Sequence, residues 1–408
     1  MSEEMKNLNE QPEETPVEHV EPQAEAKKPL DKKTLGIIIG AAAAVVVVLA
    51  IVLIALLGGN KGPQGPVLND YTLGMGVVVG TNASLNDKTG LYDAQVDATV
   101  ATVVLDKDGK IVLCRIDAVQ NKATLNADGT YDIKNLKTKM EKGDEYGMSA
   151  ALGYGMDWNG DGVVKEWYEQ AKAFEKHVIG MTAAEVEAMA TQNVTNAYGE
   201  IYVISNDEDL LTAGCTIQIT DFKAAVVKAC NDEFKASFKS EGNFTLGVAA
   251  NSADAYEEPK QGENPKLAMH SEFAASVIED GKIVVSLNDA IQPNLEYDAT
   301  GKPVGEYSFK ATKRELKEEY GMTAAVNYGM DWNGDSKVLE WYEQSAAFSA
   351  HVVGMTGAEV EAMGTKEVTN AYGEVYVISN DDALLSAGCT IQITSIKAVV
   401  AESVANAR

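Results

Sequence analysis

The sequence predicts an α+β fold in two tandem homologous domains, each a β-hairpin-containing sheet packed with helices, behind one N-terminal transmembrane helix. Three observations carry this expectation. The segment EYGMSAALGYGMDWNGDGVVKEWYEQAKAF from Glu145 recurs as EYGMTAAVNYGMDWNGDSKVLEWYEQSAAF from Glu319. Each copy joins a stretch of alternating apolar and polar residues to stretches with helical spacing. Ahead of both copies runs an uncharged apolar segment, Leu35 to Leu57.

The match continues without a gap through HVIGMTAAEVEAM and HVVGMTGAEVEAM, then NAYGEIYVISND and NAYGEVYVISND, then AGCTIQIT in both. The preceding halves diverge but keep DGKIV at Asp108 and Asp280. Whole domains are therefore repeated, at 71–235 and 243–408, because solenoid units are much shorter, roughly 20 to 50 residues.

Within the first copy, AQVDATVATVVLDKDGKIVLCRIDAV alternates around Asp106 to Gly109, the pattern of a β-hairpin and its turn. Val164, Trp167, Ala171, Phe174 and Val178 fall on one helical stripe, which Gly180 ends. Thr182 with Glu185, and Thr356 with Glu359, form capping boxes for the next helix. IYVIS and TIQIT read as strands, with Ile217 and Ile219 facing the core and Thr216 the opposite side. A closing helix starts at Asp221.

At 1.5 Å per residue, the segment 35–57 spans roughly 34 Å, enough to cross the hydrocarbon of a bilayer. Lys27, Lys28, Lys32 and Lys33 precede it, whereas Lys61 alone follows closely. The positive-inside rule then puts the N-terminus in the cytoplasm and the repeats outside, in a single-pass cell-membrane protein. The long polar segment before the helix favours an uncleaved anchor over a signal peptide. Residues 1–34, rich in Glu, Pro and Gln, read as a disordered acidic cytoplasmic tail, and 58–70 as a Gly- and Pro-containing linker.

The chain has 408 residues and a formal net charge of -27. That field disfavours nucleic acid, whose phosphates need clustered Lys and Arg, and suits cationic ligands or metals. Asp157, Asn159 and Asp161, repeated as Asp331, Asn333 and Asp335, place oxygen donors at alternate loop positions as a calcium loop does. The same residues also suit an Asx turn capping the helix that carries Trp167, since Tyr168 and Tyr342 stand where an EF-hand needs glutamate. His177 and His351 sit at matching helix ends without a second ligand nearby in sequence. The four tryptophans, 158, 167, 332 and 341, suit either a ligand groove or the core. An oxidising exterior would allow a disulfide between Cys114 and Cys230, but spacing does not fix a pairing. Gly74, Gly76 and Gly80 miss the dinucleotide-binding spacing. The sequence carries no nucleophile elbow, Walker loop, CxxC pair or zinc-ligand set, so no enzymatic reaction is legible.

The DGKI hairpin, the helices after it and the Gly-Cys-Thr segment before a final helix resemble uncharacterised extracytoplasmic repeat domains of Gram-positive surface proteins. They resemble FMN-binding domains more distantly. The resemblance implies that Thr216 and Thr390 would carry the FMN phosphate as an ester, with Gly214 and Gly388 allowing close backbone approach. Cys215 and Cys389 stand where that family has alanine, and the expectation for this chain is no covalent flavin. The leading functional expectation is a membrane-anchored extracytoplasmic binding or interaction protein whose duplicated domains gain avidity for an unknown ligand or protein. A flavin-carrying electron-transfer protein and a structural envelope protein are the alternatives.

Overall fold

The structure, a computed structural model, describes residues 68–87, 89–125, 131–134, 136–257, 264–298 and 301–408. The expected tail, the segment 35–57 and nearly all of the linker lie outside the described residues. Among the described residues no helix is long and apolar enough to cross a membrane.

Three long antiparallel strands open the first repeat, β1 (Asn69–Asn86), β2 (Leu91–Leu105) and β3 (Ile111–Leu125), followed by the short β4 (Tyr131–Lys134). The β2–β3 connection is the expected turn, with the Asp108 and Lys110 N–H groups donating to Asp106 Oδ1. A short helix α1 (Lys139–Lys142) and two 3-10 turns, Gly143–Tyr146 and Met148–Tyr154, lead to α2 (Trp167–His177) and α3 (Ala183–Glu187). A small hairpin, β5 (Thr191–Thr195) and β6 (Ile201–Ser205), precedes α4 (Glu208–Thr212) and α5 (Thr220–Asn231). The expected stripe on α2 is buried at Trp167, Ala171 and Phe174, and the Thr182–Glu185 capping box is present.

After β7 (Ala236–Ser240), which pairs with β1, the second repeat follows a similar course with one more strand before its first helix. It runs through β8 (Thr245–Glu257), β9 (Lys266–Glu279), β10 (Lys282–Ile291), β11 (Asn294–Tyr297) and β12 (Pro303–Ser308) to α6 (Lys313–Leu316). Two 3-10 turns, α7 (Trp341–His351), α8 (Gly357–Glu361), the hairpin β13 (Thr365–Thr369) and β14 (Val375–Ser379), α9 (Asp382–Ser386) and α10 (Thr394–Ala405) complete it.

One expectation fails. Residues 216–219 of TIQIT are not a strand, and Thr216 is buried at 3% exposure rather than facing away from the core. The reason is a side chain from another element. Gln170 Oε1 on α2 accepts from the N–H groups of Thr216 and Ile217 at 2.8 and 2.9 Å, removing the donors a ladder would use. Ile217 and Ile219 do point into the core.

Alternate residues along the long strands enter two different cores. On β2, Val96, Ala98 and Val100 face inward, whereas Ala101, Val103 and Leu105 face the helices. Burial on both faces explains why these strands are apolar nearly throughout. The inner faces of the two sheets pack on one another, bringing Val77, Val96 and Val100 into one cluster with Met269, Phe273 and Val277. The outer faces are covered by α2 and α5 in the first repeat and by α7 and α10 in the second. The architecture is thus helices, sheet, sheet, helices, and neither sheet could leave the other without exposing a largely apolar face. Each fully buried aliphatic or aromatic side chain in that cluster contributes about 1.5–3 kcal/mol.

Close approach of helix to strand is built into three glycines. A Cβ on Gly74, Gly76 or Gly247 would lie 2.1, 2.4 or 1.7 Å from a carbonyl oxygen of α5 or α10. Gly74 and Gly76, two of the three glycines that miss the dinucleotide spacing, therefore serve packing. Polar contacts also join the repeats. Arg314 makes two hydrogen bonds to Asp232, at 2.9 and 2.8 Å, with both side chains under a tenth exposed.

Candidate ligand cleft

In each repeat the segment between α1 and α2 is held open as an irregular rim by buried carboxylates. Asp117 Oδ1 accepts from Ala118 and from Met140 at the start of α1, and Asp289 does the same for Ala290 and Arg314. Burial pushes these carboxyls up, to about 7 for Asp117 and about 6 for Asp289. Glu166 accepts from the N–H groups of Met148 and Ser149, and Glu340 from those of Met322 and Thr323, fixing the second 3-10 turn. The rim meets the small hairpin where Ala197 N–H donates to Tyr154 O and Ala371 N–H to Tyr328 O. This contact sets Tyr202 against Trp158 and Tyr376 against Trp332, each pair with ring centroids 5.2 Å apart.

Between rim, hairpin and sheet the second repeat encloses a cleft of about 680 Å³. Its walls are mainly rings, of Tyr320, Tyr328, Trp332, Trp341 and Tyr376, and its floor on β9 carries His270 and Glu272. Three buried atoms there have no hydrogen-bond partner, namely His270 Nε2, Glu272 Oε2 and Trp332 Nε1. Glu272 Oε1 accepts from the Ser395 hydroxyl at 2.8 Å. Burial raises the Glu272 carboxyl, while the Ser395 hydroxyl and the charge of Lys313 oppose it. Burial, aided by Lys313, pushes the His270 imidazole down to about 4, so it is neutral near pH 7. Lys313 Nζ lies over the rings of Tyr320 and Trp341, 4.8 and 5.5 Å from their centroids. Unpaired buried polar groups cost free energy that a partner would recover. Ring walls with a few convergent polar groups are the ordinary make-up of a small-molecule site.

The first repeat has a shallower counterpart of about 510 Å³, lined by Tyr146, Met148, Tyr154, Met156 and Tyr202 with Lys142 and Glu145. Gly74 pairs with Val103 and Gly247 with Ser276, so strand register places Asp97 where the second copy has His270 and Thr99 where it has Glu272.

The other residues singled out by sequence lie elsewhere. Asp157 accepts from Gly162 N–H and Asp161 from Val163 N–H, while Asp331 accepts from Gly334, Asp335 and Ser336. Asn159 and Asn333 donate to Asp161 and Asp335 and to the carbonyls of Leu211 and Leu385. Each loop thus closes on itself as an Asx turn, and among the described residues no group of three or more His, Cys, Asp or Glu could hold a metal ion. Gly214 and Gly388 adopt left-handed backbone at φ 86° and 88°. The hydroxyls of Thr216 and Thr390 lie 3.4 and 3.2 Å from Gln170 Oε1 and Gln344 Oε1, and both threonines are buried. Thr390 does not line the cleft, although its neighbours Ile391 and Gln392 do. His177 and His351 approach Asp207 and Asp381 at 3.7 and 3.8 Å. All four cysteines are free and buried, and burial pushes the Cys215 and Cys389 thiols up to about 12.

Sequence reasoning missed His270, Glu272 and Lys313. They sit in the divergent half of the repeat, and no spacing links them to the rings. The rings themselves fall in the most faithfully repeated stretch, and Trp332 and Trp341 do line a groove while Trp341 also packs in the core.

Compared with known proteins, the chain is similar to chlorophenol reductase from Desulfitobacterium hafniense, 28% identical over 151 residues, covering 33% of this chain and 43% of that protein. The chain thus spans less than half the length of that relative. No protein-family description matches the chain, and no solved structure does.

Proposed function

We propose that this chain is an extracytoplasmic binding protein, anchored by the segment 35–57, whose binding site is the ring-walled cleft of the second repeat. The observation that carries this reading is the set of three unpartnered polar atoms, on His270, Glu272 and Trp332, around one cavity. A folded protein leaves few such groups without partners, and they are costly unless something fills the space between them. The test uses full-length protein purified in mild detergent from its native host, with mass measured under native and denaturing conditions. A small molecule released on unfolding supports the reading. The chain mass alone under both conditions, with no response to added aromatic compounds, contradicts it.

A second reading, a flavin-carrying electron-transfer protein, is supported by the similarity to a protein named as a reductase and by the position of Ile391 and Gln392 in the cleft wall. Flavin, when bound, supplies the electron transfer. A phosphate ester on Thr216 or Thr390 does not fit the buried, glutamine-facing hydroxyls, so on this reading the flavin sits in the cleft without a covalent bond. Flavin absorbance that separates from the chain on unfolding would favour it. A peptide bearing Thr216 or Thr390 with the added mass of FMN would overturn the non-covalent version.

A further inference from the structure

We propose that the two repeats have diverged into a binding copy and a scaffolding copy, and that the second copy takes a flat, uncharged aromatic molecule carrying a hydroxyl group. This rests on the cleft being the functional site. The ring walls favour a planar ligand, because offset and edge-on ring contacts add about 0.5–1.5 kcal/mol each beyond simple burial. The floor and the ring wall together offer polar atoms for a small polar group. Trp332 Nε1 can only donate, Glu272 Oε2 is a carboxyl oxygen that accepts when ionised and donates when protonated, and both atoms lack a partner. A hydroxyl both donates and accepts, so it can pair with either atom.

Charge argues against the ionic alternatives. Lys313 already places a cation over two of the rings, Tyr320 and Trp341, which disfavours a second cation beside them. A strongly anionic ligand would meet the Glu272 carboxyl on the cleft floor.

At one position that lines the second-repeat cleft, the first repeat carries a bulkier side chain. Following the ungapped match, Phe222 stands where the second repeat has Ile396. Ile396 lines the deep cleft beside Trp341. Phe222 instead packs edge-on against Trp167, with centroids 5.5 Å apart, and against Phe174 at 5.4 Å. Phe222 does not line the smaller first-repeat cleft. Asp97 and Thr99 replace the floor pair; Asp97 Oδ1 and Trp158 Nε1 are likewise buried without a partner, but neither residue lines the first-repeat cleft.

The probe is 2-naphthol, with 2-methoxynaphthalene as the control lacking the O–H donor. Binding to the full chain is read from quenching of tryptophan emission after subtraction of a micelle blank. Wild type should bind 2-naphthol at least ten-fold more tightly than the methoxy compound. Ile396→Phe should weaken 2-naphthol binding at least ten-fold, and Phe222→Ile should add a second binding phase. If Ile396→Phe does not fold, Glu272→Met serves instead and should weaken 2-naphthol while leaving 2-methoxynaphthalene unchanged. Binding that ignores Ile396→Phe or Glu272→Met, or that already shows two equal phases in wild type, would overturn this inference while leaving the binding reading intact. No binding of either compound by wild type would sink both.

Discussion

Replacing Asp117 and Asp289 by asparagine should flatten the dependence of stability on pH. Both carboxyls are nearly inaccessible, 3% and 6% exposed, and burial raises them from 3.8 to about 7 and about 6. In the unfolded chain they release their protons near pH 4. Between that value and pH 6 to 7 the folded state therefore holds more protons, and stability falls as pH rises. At about 1.4 kcal/mol per pH unit for each proton, Asp117 weighs on the order of 4 kcal/mol and Asp289 on the order of 3 kcal/mol across their windows. Asp254, also pushed up to about 7 by burial, acts in the same direction. Asparagine keeps an oxygen for the N–H groups of Ala118, Met140, Ala290 and Arg314, so the helix starts should survive. Urea unfolding at several pH values from about 5 to about 8 measures the effect. Wild type should lose stability across that range, and Asp117→Asn with Asp289→Asn should lose markedly less. A wild-type profile that rises with pH, or a double variant with the wild-type slope, would refute the reasoning.

Two further outcomes follow from single contacts. Arg314→Ala should destabilise by about 3–5 kcal/mol in denaturant unfolding, because it leaves the buried Asp232 without its counter-charge, and Arg314→Met with Asp232→Asn should recover most of that loss. Ser336 holds φ at 63° where the first repeat has Gly162, so Ser336→Gly should raise stability by about 1 kcal/mol, read as a higher melting temperature.

Features set by neighbouring residues were legible in the sequence. The Asp106–Gly109 turn, the apolar stripe on α2, the Thr182–Glu185 box and the Asx turn at Asp157 each depend on a few adjacent side chains. Features set at a distance were not. Residues 216–219 alternate like a strand, yet Gln170, distant in sequence, takes the N–H groups that a ladder needs. The shared core between repeats left a trace, the run ATVATVVL with almost no polar face, but that run does not say what covers its second face. The cleft draws on β9, α6, the 3-10 turns, α7, β14 and α10 at once. His270 and Glu272 read in isolation as ordinary strand residues, and only the packing leaves their buried atoms without partners.

The central claim, that the second repeat's cleft is the binding site, is tested most directly by fluorine NMR of full-length protein labelled with 5-fluorotryptophan. The chain has four tryptophans, two in each repeat, and Trp332 and Trp341 line the deep cleft. Titration with 2-naphthol should move the resonances of Trp332 and Trp341 while those of Trp158 and Trp167 stay in place. Shifts confined to Trp158 and Trp167, or four unmoved resonances at saturating 2-naphthol, would contradict the account.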